Sequence, residues 1–116
     1  MLVSVTNESK NVLLAPRVRV AVSLGSRLRG LLGSASLPDG EGLWLAPCTS
    51  VHTLFMRYPI DVAFLDAQGV VVSQVTLVPW RLSAWTRRSV GALELPAGTL
   101  ERTRTAVGDR LILKSV

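Results

Sequence analysis

The residues able to do chemistry gather in one apolar stretch, PCTSVHTLFMRYPIDVAFLD, residues 47–66. It holds the chain's single Cys (Cys48), its single His (His52), and Ser50, Arg57, Asp61 and Asp66. Ionisable groups in apolar surroundings are costly unless they are paired or hydrogen-bonded, so these residues either knit a structural network or line a site. A thiol–imidazole dyad needs the two groups within hydrogen-bond reach. If residues 48–56 are extended, Cys48 and His52 share a face but lie ~13 Å apart, at ~3.3 Å per residue. Cys48 therefore reads as a small buried thiol. A metal site would need Cys48, His52, Asp61 and Asp66 to converge, and no HxH, CxxC or HExxH spacing supports that. No metal and no cofactor is expected. Asp61 and Asp66 are five apart in a strand and point to opposite faces, which argues against a carboxylate acid–base pair.

Arg57 and Asp61 flank Tyr58-Pro59, a kink where proline fixes its own φ and restricts the residue before it. The kink could bring the two side chains together or aim both at one cavity. An Asp opening an apolar strand must accept hydrogen bonds from something. It is either a structural acceptor or the polar anchor of a pocket with Arg57 as the anion-binding arm. Three Trp complete the inventory. Trp44 alternates with Leu43 and Leu45 and reads as core or sheet-face packing. Trp80 follows Pro79 at a strand end, and Trp85 sits in a polar loop with Arg81, Arg87 and Arg88; such aromatics either form a contact surface for a sugar, a base or a partner chain or fold over their own loop. The candidate ligand-binding residues are His52, Arg57, Asp61, Trp80 and Ser50. No catalytic residue is assigned.

The elements that must position them read as strands. Val18, Val20 and Val22 alternate with Arg17 and Arg19, a half-buried strand. Residues 2–6 are a weaker strand, followed by a turn at 7–11. Leu24, Leu28, Leu31 and Leu32 fall on one helical face, with Ser23 as cap and Gly33 as stop. Residues 43–46 form a short strand stopped by Pro47. Residues 60–65 and 70–78 form a hairpin about Asp66-Ala67-Gln68-Gly69. Residues 81–88 read as an exposed loop, 92–95 as a strand, 98–105 as a turn of helix, and 110–114 as a last strand. The fold class is mostly β (a β-rich α+β chain), a compact barrel or sandwich of about six to eight short strands with one or two short helices. The expected organisation is a single domain over residues 1–116.

Composition bounds the function. The chain has 116 residues, 48% of them hydrophobic, 18% charged, with a net charge of +5 and 11 Arg among 13 basic residues. That balance argues for a folded core rather than disorder. The basic residues are scattered rather than run together, which disfavours nucleic acid as a partner. One Cys excludes an internal disulfide. No signal-peptide pattern opens the chain, and no apolar run approaches the ~20 residues of a membrane span, so a cytoplasmic protein is expected.

Several blocks together resemble the domain-of-unknown-function 192 family: RLRGLLG near position 30, GLWLAPC, SVHTLFMRYPIDVAFLD, VPWR, and ALELPAGT followed by VGDRL. The resemblance covers roughly residues 9–114 and carries the family pattern at His52, Thr53, Met56, Arg57, Pro59, Ile60, Asp61 and Asp66. It departs at 101–105, where ERTRT stands in place of a glycine-containing turn such as ERLGL. The resemblance implies a small mostly-β domain and leaves activity open. Three readings follow. The first is a ligand-binding or accessory domain with a polar cleft near His52, Arg57 and Asp61. The second is an enzyme using the same cleft, away from which the absence of motifs leans. The third is a protein–protein module using Trp80, Trp85 and the Arg-rich loop. The partner is an unknown small molecule or protein, and the oligomeric state is open.

Overall fold

The computed structural model describes residues 1–21 and 36–116. The expected helix over 24–32, and Val22, lie outside the described residues. Among the described residues are seven strands, β1 (Leu2–Asn7), β2 (Val12–Ala21), β3 (Glu41–Leu45), β4 (Ile60–Leu65), β5 (Val71–Leu77), β6 (Gly91–Pro96) and β7 (Leu111–Ser115), with one short helix, α1 (Thr99–Arg102). They make one mostly antiparallel sheet in the order β5-β4-β6-β3-β2-β1-β7, and only β2 and β3 run parallel. The sheet curls so that its two edge strands meet at one end. There Val70 bridges Arg110, and the Val71 and Leu111 amides donate to the Asp109 and Gly69 carbonyls at 2.8 and 2.9 Å. The result is a half-barrel, mostly β as expected.

β4 and β6 sit side by side inside the sheet, and every residue of both is buried. Period-two alternation divides them between two cores. Ile60, Val62, Phe64 and Ala92 pack with Leu43, Val51, Met56, Tyr58 and Leu77, while Ala63, Leu65, Leu93 and Leu95 pack with Val5, Val18, Leu100 and Leu111. A strand covered on both faces reads as a continuous apolar run, as β4 does apart from Asp61.

The β4–β5 hairpin forms where the sequence predicts it. Asp66 Oδ1 accepts from the amides of Gln68 and Val70, both at 2.9 Å, and Gly69 takes φ +82. Asp66 is thus a turn residue. Gly69 is required twice, because a Cβ there would also sit 2.6 Å from the Leu111 carbonyl oxygen. β2 begins at Val12, earlier than the valine alternation suggests. Trp44 packs on the sheet face as expected, directly over Gly91, where a Cβ would lie 2.3 Å from its ring. The turn of helix at 98–105 is present as α1. Thr105 N donates back to the Leu100 carbonyl at 2.9 Å, and Arg104 is held at φ 57.

Candidate interaction surface

Two loops carry most of the candidate residues: 46–59 between β3 and β4, and 78–90 between β5 and β6. Residues 48–56 do not form the extended strand considered from sequence. The two loops instead run antiparallel as an irregular ribbon. Cys48 N donates to the Val90 carbonyl at 3.3 Å, Thr86 N to Thr49 at 2.8 Å, Ser83 N to Val51 at 2.9 Å and Thr53 N to Arg81 at 2.8 Å. Three hydroxyls pin the ribbon. Ser89 Oγ donates to the Cys48 carbonyl at 2.7 Å, and Ser83 Oγ accepts from Val51 N at 2.9 Å. Thr53, fully buried, donates through Oγ1 to the Val78 carbonyl at 2.7 Å and accepts from Arg81 N at 2.9 Å, while its carbonyl accepts from Trp80 N at 2.9 Å. The loops therefore lack a regular ladder and are cross-braced instead by these backbone and hydroxyl bonds.

The ribbon displays aromatic side chains. Phe55 and Trp80 face each other across it with ring centroids 4.7 Å apart and planes tilted by 59°. They are 65% and 55% exposed. Leu82 and Trp85 beside Trp80 in the chain are also exposed. Both members of the pair have left-handed backbones, φ 68 at Phe55 and φ 64 at Trp80. Bulky residues avoid that region, at a cost on the order of 1–3 kcal/mol each. The fold holds two strained aromatics out in water.

Charge is one-sided here. No Asp or Glu occurs between Glu41 and Asp61, or between Asp66 and Glu94. Arg57, Arg81, Arg87 and Arg88 all lie in these loops and are exposed. Arg81 Nη1 donates to its neighbour's carbonyl, that of Trp80, at 3.3 Å.

Of the residues singled out from sequence, Ser50, His52, Arg57 and Trp80 are all carried on this loop pair. Ser50 is exposed, and its carbonyl accepts from Cys48 Sγ at 3.0 Å. His52 is half-buried and bridges Leu82, and its Nδ1 accepts from Leu54 N at 3.3 Å. Asp61 belongs elsewhere. It is 1% exposed, on the β4 face shared with Ala63 and Leu65. Its Oδ1 accepts from Thr76 Oγ1 at 2.6 Å, and its Oδ2 from the Gly98 and Leu100 amides at 3.0 Å each. The Pro59 kink does not join Arg57 to Asp61, because β5 and the start of α1 supply the carboxylate with all its donors. Asp61 lines a groove of about 570 Å³ with Gln74, Thr76, Gly98, Leu100 and Thr105, a lining that includes neither His52 nor Arg57. Among the described residues no group of three or more His, Cys, Asp and Glu gathers.

The sequence reading passed over three features. Phe55 sits in an apolar run, T-L-F-M, that looks like core, and nothing local marks its left-handed backbone. Glu94 is fully buried at the centre of the sheet, opposite Leu43 and Val62. Asn7, Lys10, Thr105 and Asp109 form a network that ties the β1–β2 turn to the approach of β7. Lys10 Nζ lies 2.7 Å from Asp109 Oδ2, and Asn7 Nδ2 donates to that oxygen at 3.0 Å and to Thr105 Oγ1 at 3.1 Å. The Lys10 hydrogen bond above all, then those from Asn7 and the Ala106 amide, hold the Asp109 carboxyl below the usual carboxylate range against the opposing effect of burial.

Comparison with known proteins fits this architecture. The family model DUF192, described as "Uncharacterized ACR", matches residues 4–113. A UPF0127 protein of Pyrococcus horikoshii is 34% identical over 112 residues, covering 92% of this chain and 96% of its own. One from Pyrococcus furiosus is 45% identical over 62 residues, about half of each chain (53% and 53%). Among solved structures, a protein of unknown function from Novosphingobium aromaticivorans superposes with a TM-score of 0.76 at 20% identity, covering 97% of this chain and 84% of that one. A protein from Sinorhizobium meliloti does so with a TM-score of 0.80 at 23% identity, covering 97% and 92%. At these identities the structural likeness speaks for the fold alone.

Proposed function

This chain belongs to the DUF192 family, and we propose that it works as a binding domain whose operative surface is the Phe55–Trp80 pair with its arginine rim. The observation that carries this reading is the strained, solvent-facing pair of tilted aromatic rings. Left-handed backbone at two bulky residues would relax if either were Asn or Gly, so a pair kept at that cost points to a use for the exposed rings. Trp, Tyr and Arg dominate the energetic centres of protein interfaces. A rigid ribbon displaying them binds without the entropy of ordering a loop.

The chemistry of the partner follows from charge. Four arginines with no acidic residue among them repel a second copy of the same face. They favour an acidic polypeptide segment with apolar anchors, and the field adds encounter rate and salt sensitivity. The test is a titration followed by Trp fluorescence. The probes are a synthetic acidic peptide bearing Leu and Phe anchors and its Glu-to-Gln counterpart. The acidic peptide should bind, more weakly as salt rises, and at least tenfold more weakly to the Phe55→Asn/Trp80→Asn double variant. Equal binding of the neutral peptide, or undiminished binding by the double variant, would refute the reading. So would a surface that takes up an oligonucleotide or anionic vesicles through these residues while ignoring the peptide.

A further inference from the structure

We propose that a second site, between the β1–β2 turn and the segment after α1, binds a small multivalent oxyanion of the phosphate type. A cavity of about 280 Å³ opens there, lined by Lys10, Val12, Arg102, Thr103 and Arg104. Three of its five lining residues are cationic, none is acidic, and they come from segments more than ninety positions apart. Lys10 is fixed in place by Asp109 at 2.7 Å, which also offsets its charge. Asp109 Oδ2 additionally accepts from Asn7 Nδ2 and Ala106 N, both at 3.0 Å, so that carboxylate is committed. Arg102 and Arg104 are exposed and make no side-chain hydrogen bond or ion pair with any described residue.

The backbone at Arg104 is fixed by the turn that ends α1. Its φ is 57, a left-handed conformation suited to glycine. Arg104 N donates to the Glu101 carbonyl at 3.0 Å, and Thr105 N closes on Leu100 at 2.9 Å. Thr103 beside it is buried and donates its hydroxyl to the Thr99 carbonyl at 2.8 Å. The turn therefore fixes the Arg104 backbone, and Arg104, Arg102 and Lys10 line the same cavity. Two guanidinium forks with an ammonium match an anion that has several oxygens and more than one charge. Guanidinium pairs such oxygens two at a time, and a lone carboxylate would leave one fork unused. The volume lies at the lower end of small-molecule pockets, which suits a phosphate or diphosphate group rather than a large ligand. This site is independent of the aromatic surface.

The experiment is calorimetric titration of the full chain with pyrophosphate and with inorganic phosphate. Ionic strength is held constant with sodium chloride. Pyrophosphate should bind saturably and more tightly than phosphate. Arg104→Gly removes the guanidinium and relieves the backbone, so it should fold as well as wild type yet bind pyrophosphate at least tenfold more weakly. Arg102→Gln should weaken binding likewise, and Phe55→Asn/Trp80→Asn should not. No saturable binding up to millimolar pyrophosphate, or the same affinity in Arg104→Gly and Arg102→Gln as in wild type, would overturn the proposal.

Discussion

Phe55 and Trp80 sacrifice local stability for display, and that can be measured. Asn tolerates the left-handed region far better than an aromatic side chain, so Phe55→Asn and Trp80→Asn each relieve about 1–2 kcal/mol of backbone strain. Each also loses a ring contact of about 0.5–1.5 kcal/mol. Neither variant should melt below wild type, although both remove exposed rings the proposed partner needs. Asp61 behaves oppositely. Asp61→Ala leaves the Thr76 hydroxyl and the Gly98 and Leu100 amides without their acceptor. Each orphaned donor costs on the order of 1 kcal/mol or more, so urea unfolding should show a loss of about 3 kcal/mol. Arg57→Ala should cost under about 0.5 kcal/mol, and the double variant should be additive, since exposed Arg57 takes no part in that network. The need of Asp61 for donors was legible from its place in an apolar strand. Their identity was not, because two of the three come from residues 37 and 39 positions away. Phe55 was illegible for a different reason: its sequence neighbourhood is that of a core residue, yet it is the third residue of a turn closed by Met56 N on the Thr53 carbonyl at 3.1 Å.

At the scale of elements, hairpins and turns were readable and loops were not. Asp66 and Gly69 specify the β4–β5 turn through short-range hydrogen bonds and a positive φ, and local pattern captures both. The 46–59 and 78–90 ribbon depends on partners about 25 to 40 residues apart, with hydroxyls standing in for ladder bonds. Thr53 is its keystone. Thr53→Val keeps the shape but deletes the bonds to the Val78 carbonyl and the Arg81 amide, so we expect about 2 kcal/mol of destabilisation. Hydrogen exchange should accelerate at residues 80–83, and peptide binding should weaken although both aromatics remain.

The Asn7–Lys10–Asp109 network gives the β1–β2 turn a pH signature. Asp109 has its folded pKa lowered, so its contribution is complete above the unfolded value, near ~3.9, and drains away as pH falls through the folded one. The stability gap between wild type and Lys10→Met should hold at neutral pH and narrow below about pH 4. A gap that widens on acidification would contradict this assignment.

Taken whole, the molecule is a half-barrel in which three neighbouring strand pairs, β4–β6, β6–β3 and β1–β7, are not consecutive in the chain. Strand number and class could be read from alternation and punctuation. The order could not, because pairing between distant strands leaves no local mark, and the parallel β2–β3 pair least of all. That order sets the two proposed surfaces on different parts of the fold. The β3–β4 and β5–β6 loops make the aromatic ribbon, while the β1–β2 turn and the segment after α1 make the cationic cavity. The arrangement permits a decisive spatial test of the central claim, that the ribbon is the binding surface. Amide chemical shifts should be mapped by NMR during titration with the acidic, Leu- and Phe-bearing peptide. The account predicts saturable shifts concentrated at residues 50–57 and 78–88, with the Asp61 groove and residues 98–105 unmoved. Shifts confined to the groove around Asp61, Gln74 and Thr76, with the ribbon silent, would contradict it.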